Sequence, residues 1–576
     1  MAEAYQTSVV IVGAGPVGLC LALDLASRGI ACTIIEQRAA GDQPSVKCNH
    51  VSSRTMEIFR RLGIADAVRA VGLPDDYPND VTMRTRATGH EMMRIHIPSR
   101  NDRFSDTWGP DGWWPTPEPP HRANQIFFEP ILYRAAAASP NVVILDRTEF
   151  VRFEQDNGGV TAFARDLDSG EDVIVNGAFL VGCEGARSIV RRAIGARLSG
   201  DEMLQRVQSS YIRAPGLLER ITKPDAWMSY LYSPERSGNL FAIDGKTTWL
   251  IHNYLLPDEG DFETVDRDFW IRSLLGVDPD FEYELLAKED WVGRRMLADR
   301  FRLGRAFICG DAAHLWVPYA GYGMNAGIAD AINLSWILAA HINGWAPEAI
   351  LDSYERERQP ITDQVSRFAM QHALGAISER TSVPAAIEKE DAEGELVRAK
   401  VGEAAYQLHV QQFACAGLNY GYFYEASPLI VYDMEDAPSY TMYDYKVSSV
   451  PGCRTPHFWL ADGRSLYDAL GPDYTVLRFD PAADVTALMA AAASAGLPLM
   501  LLDIEAEDIP AAYRHRLLLS RPDRHIAWRG DALPTDVTRL IDRIRGALAH
   551  EAAGVSDRAA AARSPASPVA LCDVSP

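Results

Sequence analysis

The chain has 576 residues, 47% hydrophobic and 23% charged, which fits a soluble globular protein of several domains. Its formal charge of -22 argues against a broad nucleic-acid footprint, since such a surface must neutralise phosphates. The eight cysteines are scattered and none forms C-x-x-C, so a disulfide framework, a zinc site or any other metal site is not expected, and a reducing, cytoplasmic compartment is.

The opening MAEAYQTSVV lacks the basic n-region of a secretory signal. Ser8 to Val12 is a short β-branched run and reads as a strand. Gly13 to Gly18 is a turn, Val17 to Ser27 an apolar helix closed by Gly29, and Ile30 to Ile35 the next strand, ending at Glu36. This βαβ opening predicts a doubly wound α/β sheet. Gly13, Gly15 and Gly18 form G-x-G-x-x-G between strand and helix. The first glycine permits the tight turn, the second admits a pyrophosphate, and the third lets helix and strand pack closely. Free N–H groups and the helix dipole favour the anion. Glu36 stands 18 residues after Gly18, where an acid accepts hydrogen bonds from a ribose diol. The bland alternative is a glycine turn without a ligand; the matching flanks argue against it. The ligand carries an ADP half, which leaves NAD(P) and FAD both open.

Residues 1–75 are the first part of this domain, and 76–300 mix further segments of it with an inserted β-rich substrate domain containing TWGPDGWWPTPEPPHRANQIFFE. Residues 301–400 return to the first domain and to long helices, and 401–447 form a helical linker. A separate α/β unit spans 448–550, and 551–576 is a Pro/Ser/Ala-rich tail expected to be disordered. Within that unit, Val485 to Ile504 is nearly long enough to span a bilayer. Gly496 and Pro498 break it, so it reads as a helix, a turn and a buried strand, not a membrane span.

A second glycine-rich entrance lies almost 300 residues after the first. The strand Ala306 to Cys309 ends in Gly310 and Asp311, an acid placed to accept hydrogen bonds from a polyol. PYAGYGMNAG then enters a helix running through about Leu338. Gly321 and Gly323 allow close backbone approach, and the helix N-terminus offers positive potential. No second G-x-G-x-x-G surrounds it, so a second pyrophosphate is not expected there. A reduced isoalloxazine, anionic at its N1–C2=O edge, fits. Both entrances are then served by one extended FAD, with its adenosine end at Glu36, its ribityl chain at Asp311 and its ring before the helix at Asn325.

On GAGPVG, on GDAAH followed by GYGMNAGIADAINLSW, and on FLVGCEGARSIVRRAIG, the chain resembles the single-component flavin-dependent aromatic hydroxylases of the para-hydroxybenzoate and phenol hydroxylase type. The third stretch resembles the family's Asp-Gly motif, matched at Gly185, Arg187, Ser188 and Arg191, with Glu184 where Asp is usual. KCNHVSSRTMEIFRRLG resembles the first-helix segment, with Lys47 where a basic residue faces the cofactor phosphates. NQIFFEPILYRAA carries Gln125 and Glu129 at positions that resemble the family's flavin-contacting helix start. VPGCRTPHFWL and LLLSRPDRHIAWRGD resemble the C-terminal thioredoxin-like domain of the phenol hydroxylase branch, where Cys453 reads as structural.

The resemblance implies an α/β fold: a Rossmann-like FAD-binding domain, an inserted β-rich substrate domain and a C-terminal thioredoxin-like α/β domain. It implies tightly and non-covalently bound FAD, held by Gly13, Gly15, Gly18, Glu36, Gln37, Arg38, Lys47, Gln125, Gly185, Asp311, Pro318, Gly323, Met324 and Asn325. It also implies a cycle in which NADPH or NADH reduces the flavin, O2 adds at C4a, and the hydroperoxide transfers one oxygen to an electron-rich aromatic substrate. A homodimer with no membrane partner is expected.

Pro318, Gly321 and Tyr322 are expected to frame the substrate side of the ring through their backbone. The branch has an Asp or His near Asn49, which cannot act as a base. His50 beside it can, if turned inward; a surface or core histidine is the equal alternative. The tyrosines of GLNYGYFYEASPLI read as packing residues, and His314 as a support beneath the flavin. Aromatic residues of 108–114 either line the pocket or pack the β-domain, and Arg54 and Glu57 are either functional or a solvated helix face. Two further readings stay open: a Baeyer–Villiger or other oxidative tailoring enzyme of an aromatic polyketide, and a non-catalytic flavin sensor.

Overall fold

The computed structural model describes residues 3–317 and 321–548, so Pro318 and the 551–576 tail lie outside the described residues. The first body is built on a six-stranded sheet in the order Arg302–Leu303, Ala306–Ile308, Phe179–Gly182, Val9–Val12, Cys32–Ile35, Val142–Leu145. All its neighbours are parallel except the first pair. The three strands Phe179–Gly182, Val9–Val12 and Cys32–Ile35 are buried along their whole length, the near-continuous apolar text expected of a parallel sheet covered on both faces. The Pro16–Ser27 helix opens on Pro16, one residue before the expected start, because proline lacks only an N–H that the first turn leaves unpaired. It packs against the long Tyr322–Ile342 helix. The second strand begins at Cys32, not Ile30.

A nine-stranded, largely antiparallel sheet forms the second body. Its strands Met228–Tyr232, Ser237–Ala242 and Thr248–Tyr254 are buried throughout, because helices lie over them. Ile271, Leu274 and Leu275 of the Arg267–Leu275 helix, and Ala405 and Phe413 of the Ala392–Phe413 helix, join one apolar core with these strands. This sheet also takes Val81–Arg84 and Glu91–Ile95 from the early chain and His314–Leu315 from just beyond Asp311. The substrate domain and the second glycine entrance are therefore joined covalently and by sheet pairing.

The C-terminal unit carries a four-stranded sheet in the order Leu499–Asp503, Tyr474–Arg478, Leu517–Ser520, Ile526–Gly530. The first pair is parallel and the others antiparallel. The Thr486–Ser494 helix and the Leu499–Asp503 strand stand where the helix and the strand are expected. The strand is half-buried, not buried, because it lies at the edge of its sheet. Among the described residues no helix is long and apolar enough to cross a membrane.

Buried ion pairs lock the C-terminal unit to the first body. Arg521 donates to Glu357 at 2.6 and 2.7 Å and to Asp523 at 2.8 Å. Arg454 pairs with Glu57, and both are buried.

Candidate active site

The glycines of the first turn divide by what surrounds them. A Cβ on Gly13, whose φ is +101°, would stand 2.8 Å from the Cys183 carbonyl oxygen, and one on Gly18 would stand 2.1 Å from that of Gly13. Both glycines are required by backbone packing. A Cβ on Gly15 would meet nothing within 4 Å. Gly15 is the N-cap of the Pro16–Ser27 helix, with no capping side chain and no acid in the first turn. An open, positively polarised helix end thus faces free space, which suits a pyrophosphate.

Glu36 is buried at the end of its strand and accepts from the backbone N–H groups of Ala14 at 2.6 Å and Arg38 at 2.9 Å. Arg38 reaches Glu129 at 2.8 Å, and Gln125 donates to the other oxygen of Glu129 at 2.6 Å. Burial works against the Arg38 charge, but Glu129 and Glu36 outweigh it and hold its pKa above the usual guanidinium value. Gln37 is exposed beside this network.

The Ala306–Ile308 strand leads into Gly310, whose φ is +59°. A Cβ there would lie 3.1 Å from the Val17 side chain, and one on Gly327 only 2.9 Å from the Gly310 Cα, so the Gly310 turn packs backbone to backbone on the Tyr322–Ile342 helix and against the Val17 side chain of the first entrance. Asp311 is exposed at the end of this turn, yet protein packs around its carboxyl. That enclosure raises its pKa, with His314 and Lys47 working against the rise. Lys47 itself is exposed, 3.7 Å from Glu289. His314 is buried and meets Asp330 at 2.6 Å, and Arg358 holds the other Asp330 oxygen at 2.7 Å. Burial opposes ionisation of Asp330, but Arg358 and His314 keep its pKa below the usual range.

The Glu184 segment docks on this turn. Glu184 accepts from the Ser188 hydroxyl and the Val190 N–H, both at 2.8 Å, so the longer acid still caps the short Ile189–Ala193 helix. Arg191 reaches across to the Ala312 carbonyl at 3.1 Å. Gly185, at φ +81°, faces open space, whereas Arg187 is exposed.

At the ring end, Gly321 is a left-handed N-cap with no side-chain cap for the Tyr322–Ile342 helix, and a Cβ on Gly323 would meet nothing within 4 Å. Met324 is partly buried against the core. Asn325 uses its side chain internally: it accepts from Ser52 N–H at 2.9 Å and Thr55 at 2.7 Å and donates to Gly321 O at 2.6 Å and His50 O at 3.2 Å. The Tyr322 ring stacks on Trp316 and its hydroxyl donates to Leu418 O at 3.2 Å, so the open face is left to backbone.

His50 is buried against Gly321. Its Nδ1 accepts from Arg122. Burial, then Arg122 and His121, push its pKa well below the usual histidine value. A neutral ring whose Nδ1 accepts must carry its proton on Nε2. Asn49 is also buried and accepts from Asn124 at 2.5 Å.

Arg122, Asp111 and Arg103 are the residues that sequence reasoning missed, since nothing local distinguishes a buried arginine from a surface one. Trp108 and Trp113 are exposed, whereas Trp114 donates to Asp111 at 3.0 Å. Arg54 and Glu57 are not a solvated face: Arg54 lies 4.4 Å over the Tyr422 ring, and Glu57 is buried against Arg454. The tyrosines 420, 422 and 424 are buried, and Cys453 is a buried free thiol.

A family model described as "FAD binding domain" matches residues 6–369, and one described as "Aromatic-ring hydroxylase, C-terminal" matches residues 448–566. The FAD-dependent monooxygenase apdD of Emericella nidulans is 30% identical, over 94% of this chain and 90% of its own. Phenol 2-monooxygenase of Pseudomonas sp. is 28% identical, over 94% of this chain and 93% of its own. The solved structure of the rebeccamycin biosynthetic enzyme RebC with reduced flavin superposes with a TM-score of 0.86 at 32% identity, covering 95% of this chain and all of that one. With both models matched and the cradle for an extended dinucleotide in place, the chain belongs to the FAD-dependent aromatic-ring hydroxylases, a family of flavoprotein monooxygenases.

Proposed function

We propose that this chain inserts one atom of O2 into a phenolic or other electron-rich aromatic substrate, using NAD(P)H and one extended FAD. The observation that carries this reading is the row of open glycine positions at Gly15, Gly185 and Gly323, where an added Cβ would meet only free space. Hydride uptake from NAD(P)H and activation of O2 are what FAD supplies when bound; the protein supplies placement, electrostatics and dryness. The helix end at Gly15 would hold the pyrophosphate, Glu36 the adenosine ribose, and Asp311 the ribityl hydroxyls. Backbone N–H groups at Gly323 and Met324 would face the negative edge of the reduced ring, where a helix N-terminus favours an anion. The free thiols among the described residues support a reducing, cytoplasmic setting.

NADPH oxidation by the purified yellow protein, with and without a panel of phenols and polycyclic aromatics, tests this. Acceleration with a product one oxygen heavier supports it. Acceleration that yields only peroxide for every compound in the panel, or none at all, counts against it. A second reading, Baeyer–Villiger or other tailoring of an aromatic polyketide, draws on Asn49, which is bonded to Asn124 where an acid would assist a phenol. The connectivity of the product separates the two.

A further inference from the structure

Arg122 is 4% exposed, and its Nη2 has no hydrogen-bond partner among the described residues. Its nearest carboxylate is Asp111, 3.9 Å away. That acid is fully buried and already engaged: Arg103 holds one oxygen at 2.7 Å, and the Trp114 indole donates to the other at 3.0 Å. Two buried guanidinium groups therefore share one carboxylate, and the site carries an uncompensated positive charge. A buried charge left without a partner is strongly unfavourable, so such an arrangement persists where a ligand completes it. Burial holds the Arg122 pKa below its usual value, with Asp111 only partly offsetting it and Arg103 adding to the fall.

The position of this charge names the ligand. The Arg122 guanidinium lies 4.9 Å over the ring of Trp227, the residue before the Met228–Tyr232 strand of the substrate sheet, and 5.7 Å over Phe413, at the end of a helix covering it. Through His50 it reaches Gly321, the cap of the helix at the ring end. The cation thus sits between aromatic walls on one side and the flavin entrance on the other. With Nδ1 accepting from Arg122, the remaining ring nitrogen of a neutral His50 carries an N–H, not a lone pair. The site offers two donors and no base.

We propose that Arg122 anchors an anionic oxygen, a carboxylate or an ionised phenol, on the aromatic substrate, and that His50 acts as a second hydrogen-bond donor to it. This rests on the hydroxylase reading above. Where the anchored oxygen is that of an ionised phenol, it also assigns the missing acid at Asn49 a cause: a phenol held as its anion needs no residue to take its proton.

The test uses the FAD-loaded enzyme and the perturbation of its flavin absorbance on ligand binding. Salicylate is compared with salicylamide, and para-nitrophenol is titrated below and above its own ionisation. The anionic member of at least one pair is expected to bind about ten- to a hundredfold more tightly, the worth of a charge-assisted hydrogen bond. Preference for salicylate identifies a carboxylate; preference for the nitrophenolate identifies a phenol oxygen. Arg122→Gln is expected to remove that preference by weakening the anionic probe far more than the neutral one. If the glutamine variant loses flavin, Arg122→Lys reads the same preference, and a reduction supports the assignment. No preference in either pair, or one that survives both variants, overturns it. Wild-type protein that purifies without flavin and does not take up added FAD overturns the hydroxylase reading and this one with it, a result distinguishable because it appears before any probe is added.

Discussion

Gly13 and Gly15 lie one turn of chain apart, yet their surroundings demand opposite outcomes on substitution. Gly13→Val places a side chain against the Cys183 carbonyl at a φ of +101°, so soluble folded protein is expected to be lost. Gly15→Val fills open space. It is expected to leave the far-ultraviolet dichroism intact and to abolish the yellow colour. Normal flavin content in Gly15→Val would refute the placement of the pyrophosphate. At this scale the sequence is most legible where chemistry is local. The glycine turn and Glu36 lie within one supersecondary unit, and their spacing carries the geometry. Arg122 and His50 stand 72 positions apart, and Glu57 and Arg454 397 apart. No period or motif links such pairs. The expectation that His50 could act as a base needed its Nδ1 partner to be judged.

The long Tyr322–Ile342 helix shows how one element can serve packing on one side and binding at its end. Gly327→Val would press on Val17 at 2.8 Å and on the Gly310 Cα at 2.9 Å. It is expected to destabilise by about 1–3 kcal/mol, the usual cost of overpacking, with a matching fall in Tm. Gly323→Ala meets nothing and removes a flexible residue from the first turn, so Tm is expected to hold or rise slightly. Its flavin-bound turnover is nonetheless expected to fall, because the new methyl enters the ring-end space. A variant that loses stability but keeps turnover would show that Gly323 packs and does not face the ring. This helix was readable as an element because its apolar run is long. That Asn325 turns inward was not, since its four partners come from the turn before it and from residues 50–55.

Across the whole molecule, buried histidines set the acid limit. Of the 13 histidines, His50, His121, His252, His372, His409, His457 and His525 are all depressed, chiefly by burial, with His121, His252, His372 and His525 down to about 3 and His457 to about 4. A histidine held neutral in the fold binds its proton only in the unfolded chain once pH falls below about 6.5. Stability is therefore full above that value and is lost progressively as pH falls toward the folded pKa values. Each group removes up to about 1.4 kcal/mol per pH unit, so a few suffice to exhaust a stability of about 5–15 kcal/mol. A Tm series is expected to be level from pH about 8 to about 7 and to fall steeply below about 6. A level Tm down to pH about 5 would contradict it. His252→Phe, which replaces a ring lying among Phe241 and Trp291, is expected to make that fall shallower.

The order of strands in the first sheet also bears on how the protein is made. Val9–Val12 is paired on one side with Cys32–Ile35, but on the other with Phe179–Gly182, which in turn waits for Ala306–Ile308. A ribosome working from the N-terminus therefore exposes half of a nucleotide-binding sheet long before its missing strands emerge. Domains assembled from such distant pieces fold slowly and present open strand edges meanwhile. Chains truncated before Ile308 are expected to be captured by chaperones or degraded, and cofactor availability during synthesis should raise the yield of intact enzyme.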